Sequence, residues 1–142
     1  MRARPCTRDC RPRSWGAARQ RGSTSVQMVV LMPALFSIMF LGMQAALMYH
    51  ARTVAVAAAQ EGARAAGAQT GTLRDGLAAA SSFVADAGGD GVLQQARTSG
   101  ARTATTATVV VTGASLSVIP GWTPTISQSA SLPVERLTGA AS

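Results

Sequence analysis

Hydrophobic and polar positions are very unevenly distributed along this chain. Val26 to Tyr49 reads VQMVVLMPALFSIMFLGMQAALMY, and no formally charged side chain occurs from Gly22 to Ala51 when His50 is neutral. As a helix this block rises about 36 Å, enough to cross a hydrocarbon core roughly 30 Å thick with some tilt. Its polar interruptions are Gln27, Ser37 and Gln44. Ser37 can return its hydroxyl to the backbone, and both glutamines lie within reach of an interface. Tyr49 and His50 fall where amphipathic rings favour the headgroup layer. A buried helix of a soluble protein is the alternative, but no second apolar segment exists to cover one.

Residues 50–69 read HARTVAVAAAQEGARAAGAQ. Alanine is the best intrinsic helix former, so the helix is expected to continue to about Gly67, giving a rod on the order of 60 Å long. Glu61 and Arg64 are spaced to pair on its surface. Pro33 removes one backbone donor and is expected to bend or loosen the span. Gly42, Ala46, Ala51, Ala55, Ala58, Gly62 and Ala66 recur at spacings of three to five and form a small-residue stripe that lets another helix approach closely. Alanine richness alone would produce the same pattern.

A second helix is predicted from Leu73 to Ala87. Thr72 and Asp75 form a capping box at its start, Leu73, Leu77, Ala80 and Val84 make its apolar face, and Gly88-Gly89-Asp90-Gly91 stops it. Three strands follow at Val92–Thr98, Thr103–Thr112 and Thr125–Glu135, expected to be antiparallel and packed on the helices. In the last, Ile126, Gln128, Ala130, Leu132 and Val134 share a face. Residues 114–122 read as a loop turned by Pro120-Gly121. The fold class is therefore α+β: a long N-terminal transmembrane helix extends into a helical stalk, with a small three-stranded antiparallel sheet as head. The expected segments are a disordered basic tail (1–22), the span (23–49), its helical extension (50–69) and an extracytoplasmic head (70–142). A head of this size with only Phe83 and Trp122 as large aromatics is expected to be marginally stable alone and to lean on partner subunits.

Charge adds a direction. The thirteen basic residues are all arginine, against six acids. Seven of the arginines (Arg2, Arg4, Arg8, Arg11, Arg13, Arg19 and Arg21) precede the apolar block with a single acid, Asp9. The positive-inside rule keeps this tail in the cytoplasm and sends residues 50–142 outward across the plasma membrane. A secretory signal peptide would also pair a basic head with an apolar run, but its apolar region is about 7–15 residues. The A-x-A site at Ala55-Val56-Ala57 lies well past the membrane exit.

Catalytic chemistry finds little support. Aromatics make up 4% of the chain, too few to wall a deep pocket. His50 is the sole histidine and reads as an interfacial residue. Asp86 and Asp90 lack the alternating oxygen-ligand spacing of a calcium loop and read as part of a surface turn. The glycines make no phosphate loop, because the chain has no lysine. Cys6 and Cys10 stand without a second ligand pair, and in a reducing cytoplasm neither zinc nor a disulfide is supported. No catalytic residue, metal, cofactor or small-molecule substrate is assigned.

Several stretches together resemble the TadE-like family of the actinobacterial type. They are Arg21-Gly22-Ser23, the apolar run containing Pro33, and Gln60-Glu61-Gly62-Ala63-Arg64-Ala65-Ala66. Ile119-Pro120-Gly121 and Ser129-Ala130-Ser131-Leu132-Pro133-Val134-Glu135-Arg136 look like the carboxyl ends of its members. The resemblance over roughly residues 20–68 implies a single-pass, pseudopilin-like component of the tight-adherence (Flp) type IV pilus assembly system. It further implies cleavage by a prepilin peptidase between Gly22 and Ser23, lateral packing in the bilayer with other pilus assembly subunits, and no enzymatic activity. One position departs from the pilin pattern. Gln27 stands where a glutamate commonly pairs with a neighbour's N-terminal amine, and an uncharged amide attracts that amine less strongly. Gln27 and Pro33 are thus expected to tune assembly. Two other readings stay open: a membrane-anchored protein unrelated to pili, and an anchor whose arginine tail binds anionic lipid or nucleic acid. Topology already accounts for the charge, and Trp15 is the tail's only aromatic.

Overall fold

The computed structural model describes residues 20–136, with side chains from Val26 onward. Helix α1, Gln20–Gly67, is a single 48-residue element. Alanine, leucine and methionine dominate it, and Pro33 is accommodated inside it. The chain divides into two units at Ile38 and Met39. In the first, every described side chain from Val26 to Ile38 is exposed. Ser37 Oγ donates to the Pro33 carbonyl at 2.7 Å, so its hydroxyl proton is satisfied without water, as an apolar surrounding demands. Pro33 has no amide to offer the carbonyl of Val29.

The second unit holds the rest of α1, helix α2 (Leu73–Asp86) and strands β1 (Leu93–Arg102), β2 (Thr106–Ser115) and β3 (Thr125–Pro133). Helix α1 stops at Gly67 because its last carbonyls find other partners. The Glu135 amide donates to Gly67 O at 2.8 Å, and Arg102 Nε donates to Ala66 O at 2.7 Å. Both bonds tie the end of the helix to the sheet. The Thr72–Asp75 capping box opens α2: the Thr72 hydroxyl accepts from the Asp75 amide at 3.2 Å, and Asp75 Oδ2 accepts from the Thr72 amide at 3.0 Å. Helix α2 ends one residue earlier than expected, with Ala87 as its cap. Gly88 then takes a φ of +118°, in the left-handed region that favours glycine.

The sheet is an antiparallel meander in the order β1-β2-β3. The strand bounds correct the sequence reading. β1 runs on past Thr98 to Arg102, and β2 starts at Thr106 and runs past Thr112 to Ser115. Residues 103–105 form the hairpin turn instead of strand, because Thr103 Oγ1 accepts from the Thr106 amide at 3.0 Å. Ala114 and Ser115 pair with Thr125 and Leu93 and belong to β2, not to the following loop. β1 carries a bulge between Gln94 and Arg97, where Gln95 adopts a φ of +51°. The Asp90 carboxylate accepts from the Gln95 amide at 3.3 Å and steadies that bulge.

Both helices pack on the inward face of the sheet. Ala51, Ala55, Ala58, Ala59, Ala63 and Ala66 of α1 are fully buried against Ala80 and Val84 of α2 and against Leu93, Val109, Val111 and Ile126 of the strands. The face expected for β3 is the one turned inward, with Ile126 buried and Gln128, Ala130 and Leu132 half-buried. The opposite face carries serines and threonines, with Thr108 Oγ1 and Ser131 Oγ hydrogen-bonded at 2.9 Å.

Candidate functional site

Among the described residues no three His, Cys, Asp or Glu side chains come together as a metal site would need, and the surfaces of α1 are taken as the candidate site. Three stretches of the helix meet different surroundings, and side-chain size and polarity decide which. Gly22 and Ser23 lie in the first turn of α1, where amides have no partner within the helix; their side chains lie outside the described set. Residues 1–19, which hold six of the tail's seven arginines together with Cys6 and Cys10, fall outside the described residues.

From Val26 to Met43 the helix is apolar and largely uncovered. Phe36, Met39, Phe40 and Leu41 are all exposed, as are Gln27 and Pro33 before them. Gly42 is open, with nothing within 4 Å of the position a Cβ would take. Ala46 is likewise exposed. Among the described residues α1 is the one helix long and apolar enough to cross a membrane.

The stripe of small residues divides here. Gly42 and Ala46 stay open, but Gly62 and Ala66 are buried by the chain's own α2. A Cβ at Gly62 would lie 2.7 Å from the Gly76 carbonyl and 2.9 Å from Ala80 Cβ. A Cβ at Gly76 would lie 2.6 Å from both Ala66 Cβ and the Gly62 carbonyl. The second helix that uses this stretch is therefore intramolecular. The A-x-A sequence at Ala55–Ala57 lies within the same packed part of α1, where Ala55 is fully buried. Glu61 and Arg64 point outward and form a surface ion pair at 2.6 Å, a contact of little energetic weight at such exposure. Ala63, between them, is buried in the core. His50 is exposed, and its carbonyl accepts from Thr53 Oγ1.

Gln44 behaves differently from a polar residue facing a water interface. It is 2% exposed. Its Nε2 donates to the Leu116 carbonyl at 3.3 Å. Its Oε1 accepts from the Val118 amide at 2.9 Å and from Ser117 Oγ at 3.2 Å. One side chain thus clamps the β2–β3 loop onto α1. Sequence reading missed this contact. The signal lay in the loop itself, whose Leu116, Val118, Ile119 and Trp122 are more apolar than a solvated turn requires.

Residues 22–64 match the family model described as TadE-like protein. This is the family resemblance read from the sequence, over nearly the same stretch, and it points to a membrane-associated, tight-adherence pilus-associated protein. No curated protein and no solved structure matches the chain.

Proposed function

We propose that this chain is a single-pass, pseudopilin-like component of a tight-adherence type IV pilus assembly system, and that it works by helix packing and protein contact, not catalysis. The observation that carries the reading is the uncovered apolar stretch from Val26 to Met43, which begins three residues after Ser23 and falls inside the family match. Exposed apolar side chains all around a helix are costly in water and stable in lipid.

The arginine tail holds the N-terminus in the cytoplasm, and the head stands on the other side of the membrane. A prepilin peptidase cuts after Gly22 and leaves the span on the mature protein. Cleavage before the hydrophobic stretch removes the charge that fixed the orientation while keeping the surface that packs against neighbours. Gln27 follows the new amine of Ser23 by four residues. Its amide accepts a hydrogen bond from a neighbour's amine without placing a net charge in lipid. Gly42 and Ala46 are the open small residues available for close lateral approach.

N-terminal sequencing of the membrane protein, from cells with and without the peptidase, tests this reading. A start at Ser23 that depends on the peptidase supports it. A start at Met1 in both strains, or at Ala58, refutes it.

A further inference from the structure

We propose that the β2–β3 loop is a second membrane contact, a foot that rests in the headgroup layer of the leaflet on the carboxyl side of the span. The inference relies on α1 crossing the bilayer. It starts from the direction of β2. Ala107, near the start of the strand, lies beside Gly67, and Val109 lies beside Gly62. At the other end Gln44 holds Leu116, Ser117 and Val118. From Gly67 back to Gln44 is about 35 Å of helix, and from Ala107 to Leu116 about 30 Å of strand. β2 therefore runs back along α1 from Gly67 toward Gln44. Its loop arrives at a level where the helix still exposes Leu41, Met43, Met48 and Tyr49.

The loop is built for that place. No charged residue occurs from Thr103 to Val134, so nothing on β2, the loop or β3 opposes contact with an apolar layer. Trp122 is 47% exposed and Val118 37% exposed, and Pro120 lies uncovered between them. Indole is the side chain that most favours the membrane interface. Backbone polarity is largely consumed inside the loop. The Ser115 amide donates to Pro124 O at 3.0 Å and the Trp122 amide to Ile119 O at 3.3 Å. The Val118 and Ile119 amides bond to Gln44 Oε1 and Ser117 Oγ, and Pro120 and Pro124 have no amide to satisfy. Gly121, with a φ of +80°, completes a Pro-Gly turn that presents Trp122. The contact sets the exit of the helix near Gln44, leaving Val26–Met43, about 27 Å of helix, for the hydrocarbon core.

The test uses the full chain with Trp15→Phe, so that Trp122 is the sole indole, reconstituted in excess phosphatidylcholine vesicles. The lipids carry bromine either near the headgroup end or deep in the acyl chains. Blue-shifted emission, quenched more strongly by the shallow bromines, is the expected result. Emission of a water-exposed indole without quenching overturns the proposal. So does blue-shifted emission that neither bromine quenches, which would place Trp122 against protein. A Phe36→Trp probe in a chain lacking both native indoles separates the two readings. If deep bromines quench it while Trp122 is unaffected, the span stands and the foot falls. If they leave it unquenched, the membrane-spanning reading itself fails.

Discussion

The closest approach between α1 and α2 is at Gly62 and Gly76, and Gly62→Ala measures how much of the head's stability depends on it. The added methyl would meet the Gly76 carbonyl at 2.7 Å, Ala80 Cβ at 2.9 Å and Val109 Cγ1 at 3.0 Å. Unstrained carbon contacts lie near 3.5–4.0 Å. The first two neighbours have no rotamer with which to retreat, so α2 must back away from α1 by most of an ångström. Overpacking of this kind costs about 1–3 kcal/mol, while the helix propensity gained from glycine to alanine returns at most about 1 kcal/mol. With two contacts under 3.0 Å against immobile atoms the cost falls in the upper half of that range, so the net loss is roughly 1–2 kcal/mol, and each kcal/mol moves the midpoint of a small domain by about 4–8 °C. Gly42→Ala is the matched control: it makes the same change in the same helix with nothing within 4 Å. Thermal unfolding of the detergent-solubilised chain, followed by Trp122 fluorescence with Trp15→Phe, should place Gly62→Ala at least about 4 °C below wild type and Gly42→Ala at or above it. Equal midpoints for the two variants would refute the packing argument.

Three further outcomes follow from the same structure. Ser115 Oγ is buried and bonds to no described residue; Ser115→Ala should therefore leave the midpoint unchanged or raise it, since an unpaired buried hydroxyl costs about 1–3 kcal/mol. The Thr72 side chain and then its backbone amide hold the Asp75 carboxyl below its ordinary range against an opposing effect of desolvation, with the charge of Arg74 the smallest contribution. The contribution of Asp75 is thus fully present above its unfolded-state value and disappears as pH falls through the lower folded value, so the deficit of Asp75→Asn at neutral pH should vanish in an acid titration of the midpoint. Leucine at both Gly42 and Ala46 should reduce cross-linking between neighbouring copies or pilus subunits in the membrane while the head's unfolding midpoint stays at the wild-type value.

The helices were legible in the sequence because their signals are local. The alanine run, the Thr72–Asp75 spacing and the glycines after Ala87 each fix a conformation within a few residues. Strand ends were less legible because their reasons lie across the sheet. Gly100 lies inside β1, where a Cβ would press on the Thr108 carbonyl of the neighbouring strand, so glycine fits there for a reason across the sheet. Gly113 lies inside β2, where Leu93 Cγ would stand 2.6 Å from its Cβ. The small-residue stripe was visible, but periodicity alone does not tell which part an intramolecular helix fills. That depends on α2 folding back so that Gly76 meets Gly62, a tertiary contact with no local mark. The Glu61–Arg64 pair was readable from spacing alone.

Gln44 illustrates a more general point about polar residues in apolar blocks. On the linear sequence its nearest relief is the water interface, and that assumption makes it a boundary marker. In the fold its relief is backbone, and the amide is the group that fits. The Leu116 carbonyl needs a donor, while the Val118 amide needs an acceptor. Glutamate would serve the second need, leave the Leu116 carbonyl unpaired and bring a charge into a site only 2% exposed, where it is expensive. Leucine would match the helix but orphan both the carbonyl and the amide, at about 1–3 kcal/mol for each buried group. Neutrality together with two-sided hydrogen bonding therefore selects glutamine. The neutrality proposed to suit Gln27 to lipid reappears in Gln44 for a different task, holding an uncharged loop against α1.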